Sequence, residues 1–248
     1  MLGELSTVEW MLFFTVAVCV GLSKTGVHGA GNIAVPLLAI VFGGKLSSGI
    51  MLPMLCLADV MGVIYYHRHT SWPHLKKLVP AAVVGIVIGT FVGEVIAPHA
   101  FDLIMVSIIF VSVGIMIWIE RGRHEQDIPD NRWFANSCGV GAGFTSMIGN
   151  LAGAFSAVYL LAMRLPKNAF IGTSAWFFLI INWIKVPFHV FRWHTIKVEY
   201  VILDLVALPL IAVGALFGIF IVKKLSEVAY RWFIIVMTLA AAVFMALS

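Results

Sequence analysis

Apolar residues in this chain come in long runs separated by short polar knots. Ten runs can be drawn, at about 8–22, 27–43, 46–66, 78–97, 100–119, 134–148, 150–163, 168–191, 199–221 and 226–247. A backbone in lipid has to satisfy its own hydrogen bonds, so such runs predict helices. Roughly 20 residues cross a bilayer squarely, and the first two runs of each half are shorter than that. Gly21, Gly26, Gly29 and Gly31 punctuate the first short pair, and Gly139, Gly141, Gly143, Gly149 and Gly153 the second. Both pairs are expected to be broken helices or re-entrant hairpins.

The pattern occurs twice. Pro80-x3-Val84-Gly85-x3-Gly89-x-Phe91 returns as Pro209-x3-Val213-Gly214-x3-Gly218-x-Phe220, 129 positions later. Gly21, Ala30 and Gly31 match Gly143, Ala152 and Gly153 at an offset of 122, and Gly49 and Asp59 fall opposite Gly172 and Asn182 at 123. Five segments per half is an odd number, so the second half enters from the opposite face. If each short pair dips in and returns, three crossings per half remain, which is still odd. The expected fold is therefore an all-α integral membrane protein of two inverted repeats, each about five helical segments opened by broken or re-entrant helices. Residues 1–120 form the first repeat, 121–132 a charged connecting loop and 133–248 the second. Gly85-x3-Gly89 and Gly214-x3-Gly218 read as close helix packing.

Composition agrees with this picture. The chain is 61% hydrophobic and 11% charged, with a mean hydropathy of +1.02, which excludes an ordinary soluble domain. If the ten segments alternate sides, one face collects twelve Lys and Arg residues and the other only Lys45, Arg192 and Lys197, with Lys185 inside a segment. Fusing each short pair into one crossing weakens that split to eight against six. The positive-inside rule thus favours ten segments with both termini outside. Glu4 and Glu9 precede the first run without a basic residue, so no signal-peptide n-region is expected. Cys19, Cys56 and Cys138 have no paired spacing, and neither a disulfide nor a metal cluster is expected. Trp72, Trp133 and Trp193 near segment ends read as interfacial anchors. His67, His69 and His74 sit with Arg68, Lys76 and Lys77 in what reads as a solvated basic loop. No P-loop, dinucleotide fingerprint or nucleophile elbow is present, so the chain is not read as an enzyme and no cofactor is expected.

The candidate chemistry lies at the two interrupted pairs. A helix broken at glycine exposes unpaired N–H groups at its new N-terminus, where the dipole attracts anions. The candidate substrate-binding residues are Ser23, Lys24, Thr25, His28, Gly29, Gly31 and Asn32 in the first pair, with Thr145, Ser146, Gly149, Asn150 and Gly153 in the second. Lys24 either snorkels to an interface or faces a polar cavity. Lys185 poses the same question, with Pro187 loosening the helix after it. Asp59 is either a carboxylate bonded to a neighbouring helix or a proton or cation coupling site, and its counterpart Asn182 cannot titrate. His28 is either a packing residue or a proton relay. Asp59, Asn182 and Lys185 are placed around the site. A cation or metal carrier using Asp59, His28 and His189, and a passive anion channel, remain alternatives. The expected partners are a small anion and membrane lipid, with no nucleic acid, and a homo-oligomer is an open alternative.

The run from Gly21 through Gly26-Val-His-Gly-Ala-Gly31 to Val35-Pro36-Leu37-Leu38 resembles the opening of the sulfite exporter TauE/SafE family of four-toluene-sulfonate-uptake-type permeases. The resemblance covers essentially the whole chain. The second half repeats the opening in degraded form, with Val158-Tyr159-Leu160 in place of a Val-Pro-Leu motif. It implies an exporter of sulfite, sulfoacetate or other organosulfonates in a prokaryotic cytoplasmic membrane.

Overall fold

The computed structural model describes residues 6–28, 30–42, 44–95, 98–121 and 132–247. They form ten helices: α1 (Thr7–Lys24), α2 (Ala30–Phe42), α3 (Gly44–Tyr66), α4 (Trp72–Val95), α5 (Pro98–Arg121), α6 (Arg132–Gly149), α7 (Gly153–Ala162), α8 (Lys167–Pro187), α9 (Val198–Lys224) and α10 (Glu227–Leu247). A short 3-10 turn (His67–His69) precedes α4, and a π-turn (Phe188–Arg192) follows α8. No strand occurs among the described residues. Among the described residues, five helical stretches are long and apolar enough to cross a membrane: Thr7–Lys24, Leu46–His69, Trp72–Val95, Lys167–Arg192 and Val198–Lys224. Of the expected 121–132 loop, residues 122–131 lie outside the described residues.

Local chemistry sets the ends of the helices that matter here. Ser6 and Glu9 form a reciprocal capping box that starts α1. The helix stops at Gly26, whose φ of +120° suits only glycine. The second pair breaks at Asn150, with φ 57°, a left-handed conformation that Asn tolerates better than most side chains. Past that turn Phe155 of α7 packs on Gly141 of α6, so the pair folds back on itself.

The sequence reading places the second interruption across all five glycines, and the structure narrows it. Gly139, Gly141 and Gly143 lie inside unbroken α6, and only residues 150–152 interrupt the pair. The three glycines serve close packing instead. A methyl at Gly143 would collide with the carbonyl of Ala82, and one at Gly139 would meet Leu78 and Ala81 of α4. The basic loop is also shorter than expected. His74, Lys76 and Lys77 ride on α4, where Pro73 suits the first turn and Leu75 and Leu78 draw the segment into the core. Trp193 is not an interfacial anchor. It is buried, donates its indole N–H to Thr90 O at 3.2 Å, and fills the space above Gly93. Trp72 and Trp133 are exposed.

Two helix pairs repeat one geometry. On α1 and α9, Val18 meets Gly214, Gly21 meets Ile211 and Ala215, and Leu22 and Thr25 meet Gly218. On α6 and α4, Val140 meets Gly85, Gly143 meets Ala82, and Phe144 and Met147 meet Gly89. Both pairs are parallel, and both press glycine against backbone. The outward faces match as well. Val84, Val87, Ile88 and Phe91 are exposed, and so are Val213, Leu216, Phe217 and Phe220, each 129 positions on. Lipid tails solvate such faces as readily as a core does, so close backbone approach rather than amphipathicity selects the buried side.

α3 and α8 instead pair antiparallel. Gly49 meets Thr195, Asp59 meets Asn182, Gly62 meets Ala175, and Tyr66 meets Gly172. Apolar residues pack as two clusters. One gathers α4 to α8 with the end of α9 and α10, and the other gathers α1, α2, α3 and the first half of α9. The interrupted hairpins and the α3–α8 pair meet between them.

Candidate functional site

The centre of the molecule holds two lysines and one paired carboxylate. Lys24 ends α1 and is buried; its Nζ lies 2.9 Å from Asp59 Oδ1 and 4.2 Å from the centre of the Phe178 ring. Asn182 donates from Nδ2 to Asp59 Oδ2 at 2.6 Å. Lys185, wholly buried, donates to the Ser146 carbonyl at 3.0 Å and to Asn150 Oδ1 at 2.7 Å. Asn150 in turn donates to the Ser48 carbonyl at 3.1 Å. Among the described residues Lys185 has only neutral acceptors. A buried ion is tolerated in a membrane protein where it is paired or faces a polar cavity. Asp59 pairs with Lys24, and among the described residues no carboxylate is bonded to Lys185.

Beside these groups lies a cavity of about 40 Å³, lined by Ser23, Lys24, His28, Gly31, Met51, Leu55, Ser146, Asn150, Ala152, Gly153, Phe178 and Asn182. It has room for only a few waters. Gly31 and Gly153 mark the starts of α2 and α7, so both interrupted helices open onto it. The leading N–H groups of a helix have no partner within it and favour negative charge.

Of the residues singled out in the sequence, Ser23, Lys24, His28, Gly31, Ser146, Asn150, Gly153 and Asn182 line this one cavity, with Asp59 and Lys185 bonded to lining residues. Thr25 and Thr145 do not. The Thr25 hydroxyl donates to Ala215 O at 2.9 Å, and the Thr145 hydroxyl to Gly141 O at 2.8 Å. Buried hydroxyls in membrane helices commonly bond a carbonyl one turn back. Gly149 closes α6 without lining the cavity. Gly29 lies outside the described residues, and so does the side chain of Asn32.

Sequence reasoning missed Phe178, Met51, Leu55 and Ala152 because they are apolar. Helical spacing could have found the first three. Met51, Leu55 and Asp59 stand four apart on α3, and Phe178, Asn182 and Lys185 stand four and three apart on α8, each set on one face.

A second, open cavity of about 260 Å³ is lined by Tyr65, Tyr66, His69, Lys167, Asn168, Val222 and Lys223, at the ends of α3 and α9 and the start of α8. One layer stands between the two cavities. Gly26 packs on Val222 and Ile171, and Tyr230 donates its hydroxyl to Gly26 O at 3.1 Å, 3.2 Å from His28 Nδ1. The ring of His28 lies edge-on to Phe170, with centroids 5.0 Å apart.

The metal alternative is not assembled. His189 points elsewhere, with Nδ1 2.8 Å from Thr195 Oγ1 and its ring against Trp193. No three His, Cys, Asp or Glu side chains form a metal-holding group among the described residues.

No curated protein and no solved structure matches the chain. One family model, described as Sulfite exporter TauE/SafE, matches residues 13–245, which takes in both interrupted hairpins, the paired lysines and the cavity between them. The chain therefore belongs to the sulfite exporter TauE/SafE family, and that membership implies a membrane transporter.

Proposed function

We propose that the protein exports small sulfur-containing anions, sulfite or organosulfonates, across the cytoplasmic membrane by alternating access. The observation that carries this reading is the make-up of the central site: two buried lysines, one carboxylate, and two helix N-termini facing the same cavity. An anion completes that set, whereas a cation would add to it. Sulfite and sulfonates present several acceptor oxygens on one sulfur, which suits Lys185, Asn150 and the amides at Gly31 and Gly153.

A cavity of about 40 Å³ leaves no space for an organosulfonate, so loading requires the hairpins to part. The larger basic cavity at Lys167 and Lys223 supports a path from the cation-rich side, closed by the layer at Gly26, Val222 and Tyr230. That side is taken as cytoplasmic, with both termini outside.

Two inverted repeats, 1–120 and 133–248, supply the moving parts in this reading. Asp59 and Asn182, counterparts in the two halves, touch each other on antiparallel α3 and α8. Equivalent helices that meet antiparallel are related by an axis across their length, which lies in the membrane plane. The repeated contacts of α1 with α9 and α6 with α4 support the same axis. Proton coupling through Asp59 and His28 is part of the proposal. If transport by purified protein in liposomes ignores acidification of either side, that part fails.

The deciding experiment is counterflow of radiolabelled sulfite and a panel of organosulfonates in proteoliposomes. Saturable exchange by the wild type that is lost in Lys185→Met supports the reading. Single-channel conductance at the same protein density would replace it with a channel, and exchange of divalent cations instead of sulfite would replace it with a cation carrier.

A further inference from the structure

One ionisable group in the membrane-spanning part has no place in the site above. Asp204 stands on α9 and is wholly buried, and among the described residues neither of its carboxylate oxygens has a hydrogen-bond partner. Its surroundings among the described residues are mainly apolar. Tyr200 and Ala207, one turn to either side, belong to the cluster that holds Ile50, Met51, Met54 and Leu55 of α3. The carboxylate faces the Met54 backbone. The titratable group that α3 brings near it is the buried thiol of Cys56, and no charged side chain of α1 or α3 is paired with it among the described residues. Asp59, five positions after Met54 on the same helix, contrasts sharply, having both Lys24 and Asn182.

An ionised carboxylate so placed has the Met54 backbone facing it but no opposite charge among the described residues, and such a group in a membrane span is uncommon without a role. The site is complete only when a cation sits on it. A metal cation of the hard class needs several oxygen ligands, and no group of three His, Cys, Asp or Glu side chains gathers here among the described residues. A proton needs one oxygen.

We propose that Asp204 is a proton-binding site that couples proton movement to the transport cycle. This rests on the transport reading above and adds a coupling residue outside the anion cavity. The proton is taken from water and returned to water. With it bound, the side chain is neutral and fits the apolar α3–α9 contact. Without it, the charge requires water or a counter-ion, and so requires α3 and α9 to separate. Met51 and Leu55, part of that contact, also form the wall of the central cavity. Occupancy at Asp204 therefore biases the same element that opens the site.

The test uses the full chain in proteoliposomes with radiolabelled sulfite. Two fluxes are compared: exchange at equal concentrations, and accumulation driven by a pH gradient. The wild type is expected to show both. Asp204→Asn, which keeps the neutral shape but cannot release a proton, is expected to keep exchange near the wild-type rate and lose gradient-driven accumulation. Undiminished accumulation by Asp204→Asn overturns the proposal. So does wild-type exchange that no pH gradient can drive, an outcome that leaves the anion-exchange reading intact and removes only its proton-coupling part. Absence of any wild-type exchange removes the transport reading and the proposal together. Infrared spectroscopy of the wild type gives a second readout should the Asn variant misfold. A carboxylic-acid C=O band that Asp204→Glu shifts is expected at a pH where the protein transports, and its absence there overturns the assignment.

Discussion

Lys24, Asp59 and Lys185 show how neighbours decide what a buried charge does. Removing one partner from a buried pair leaves the other uncompensated, at a penalty of about 3–5 kcal/mol. Lys24→Ala should therefore lower the thermal midpoint markedly in a detergent melt. Lys24→Met combined with Asp59→Leu should restore much of the loss, because no orphan charge remains, while transport stays absent. The opposite is expected at Lys185, whose partners are the neutral Ser146 carbonyl and Asn150. Lys185→Met removes a group whose direct partners among the described residues are all neutral. It should leave the melt close to wild type while sulfite exchange disappears. A Lys185→Met protein that melts far lower and still exchanges would show that this ammonium holds the hairpin rather than the anion.

At the level of helices, the glycines divide into two jobs. Gly21, Gly85, Gly143 and Gly214 let backbones touch, and a side chain at any of them would strike a carbonyl of the facing helix. Gly143→Leu is expected to abolish folded, monodisperse protein on size exclusion, and Gly21→Leu to do the same, since the two sit in matching contacts. Gly26 and Asn150 instead shape the turns. Asn150→Gly keeps access to positive φ but deletes the acceptor for Lys185 and the donor to Ser48. It should fold, and it should bind sulfite more weakly by isothermal titration. Asn150→Val, which neither fits the turn nor replaces the bonds, should also lose stability, and comparing the two separates conformation from contact.

For the molecule as a whole, the antiparallel α3–α8 pair makes a topological demand. The chain has to reverse direction an odd number of times between them, which requires α6 and α7 to fold back rather than continue. In a background lacking Cys19, Cys56 and Cys138, a single cysteine at Arg68 should label only from the cytoplasmic side and one at Lys197 only from outside. Labelling of both from one side would undo the proposed inverted arrangement and with it the proposed path through the larger cavity.

Much of this was legible in the residue pattern. The ten runs fall on ten helices because hydrophobicity and backbone satisfaction are local demands, met residue by residue in lipid. The duplicated Pro-Val-Gly-Gly-Phe pattern pointed to α4 and α9, and the polar residues among glycines pointed to the two hairpin turns. What could not be read were properties of neighbours. Whether Gly139 and Gly143 break a helix or admit another depends on Ala82 and Leu78, some sixty positions away. Whether Lys24 snorkels or pairs depends on Asp59. That Trp193 is core, and that Asp204 lacks a charge partner among the described residues while Asp59 has one, depends on which faces α3, α8 and α9 turn to one another. Helix formation and membrane residence follow from short-range chemistry. The charge balance of the site is a sum over side chains from α1, α3, α6 and α8, and it exists only once those helices are packed.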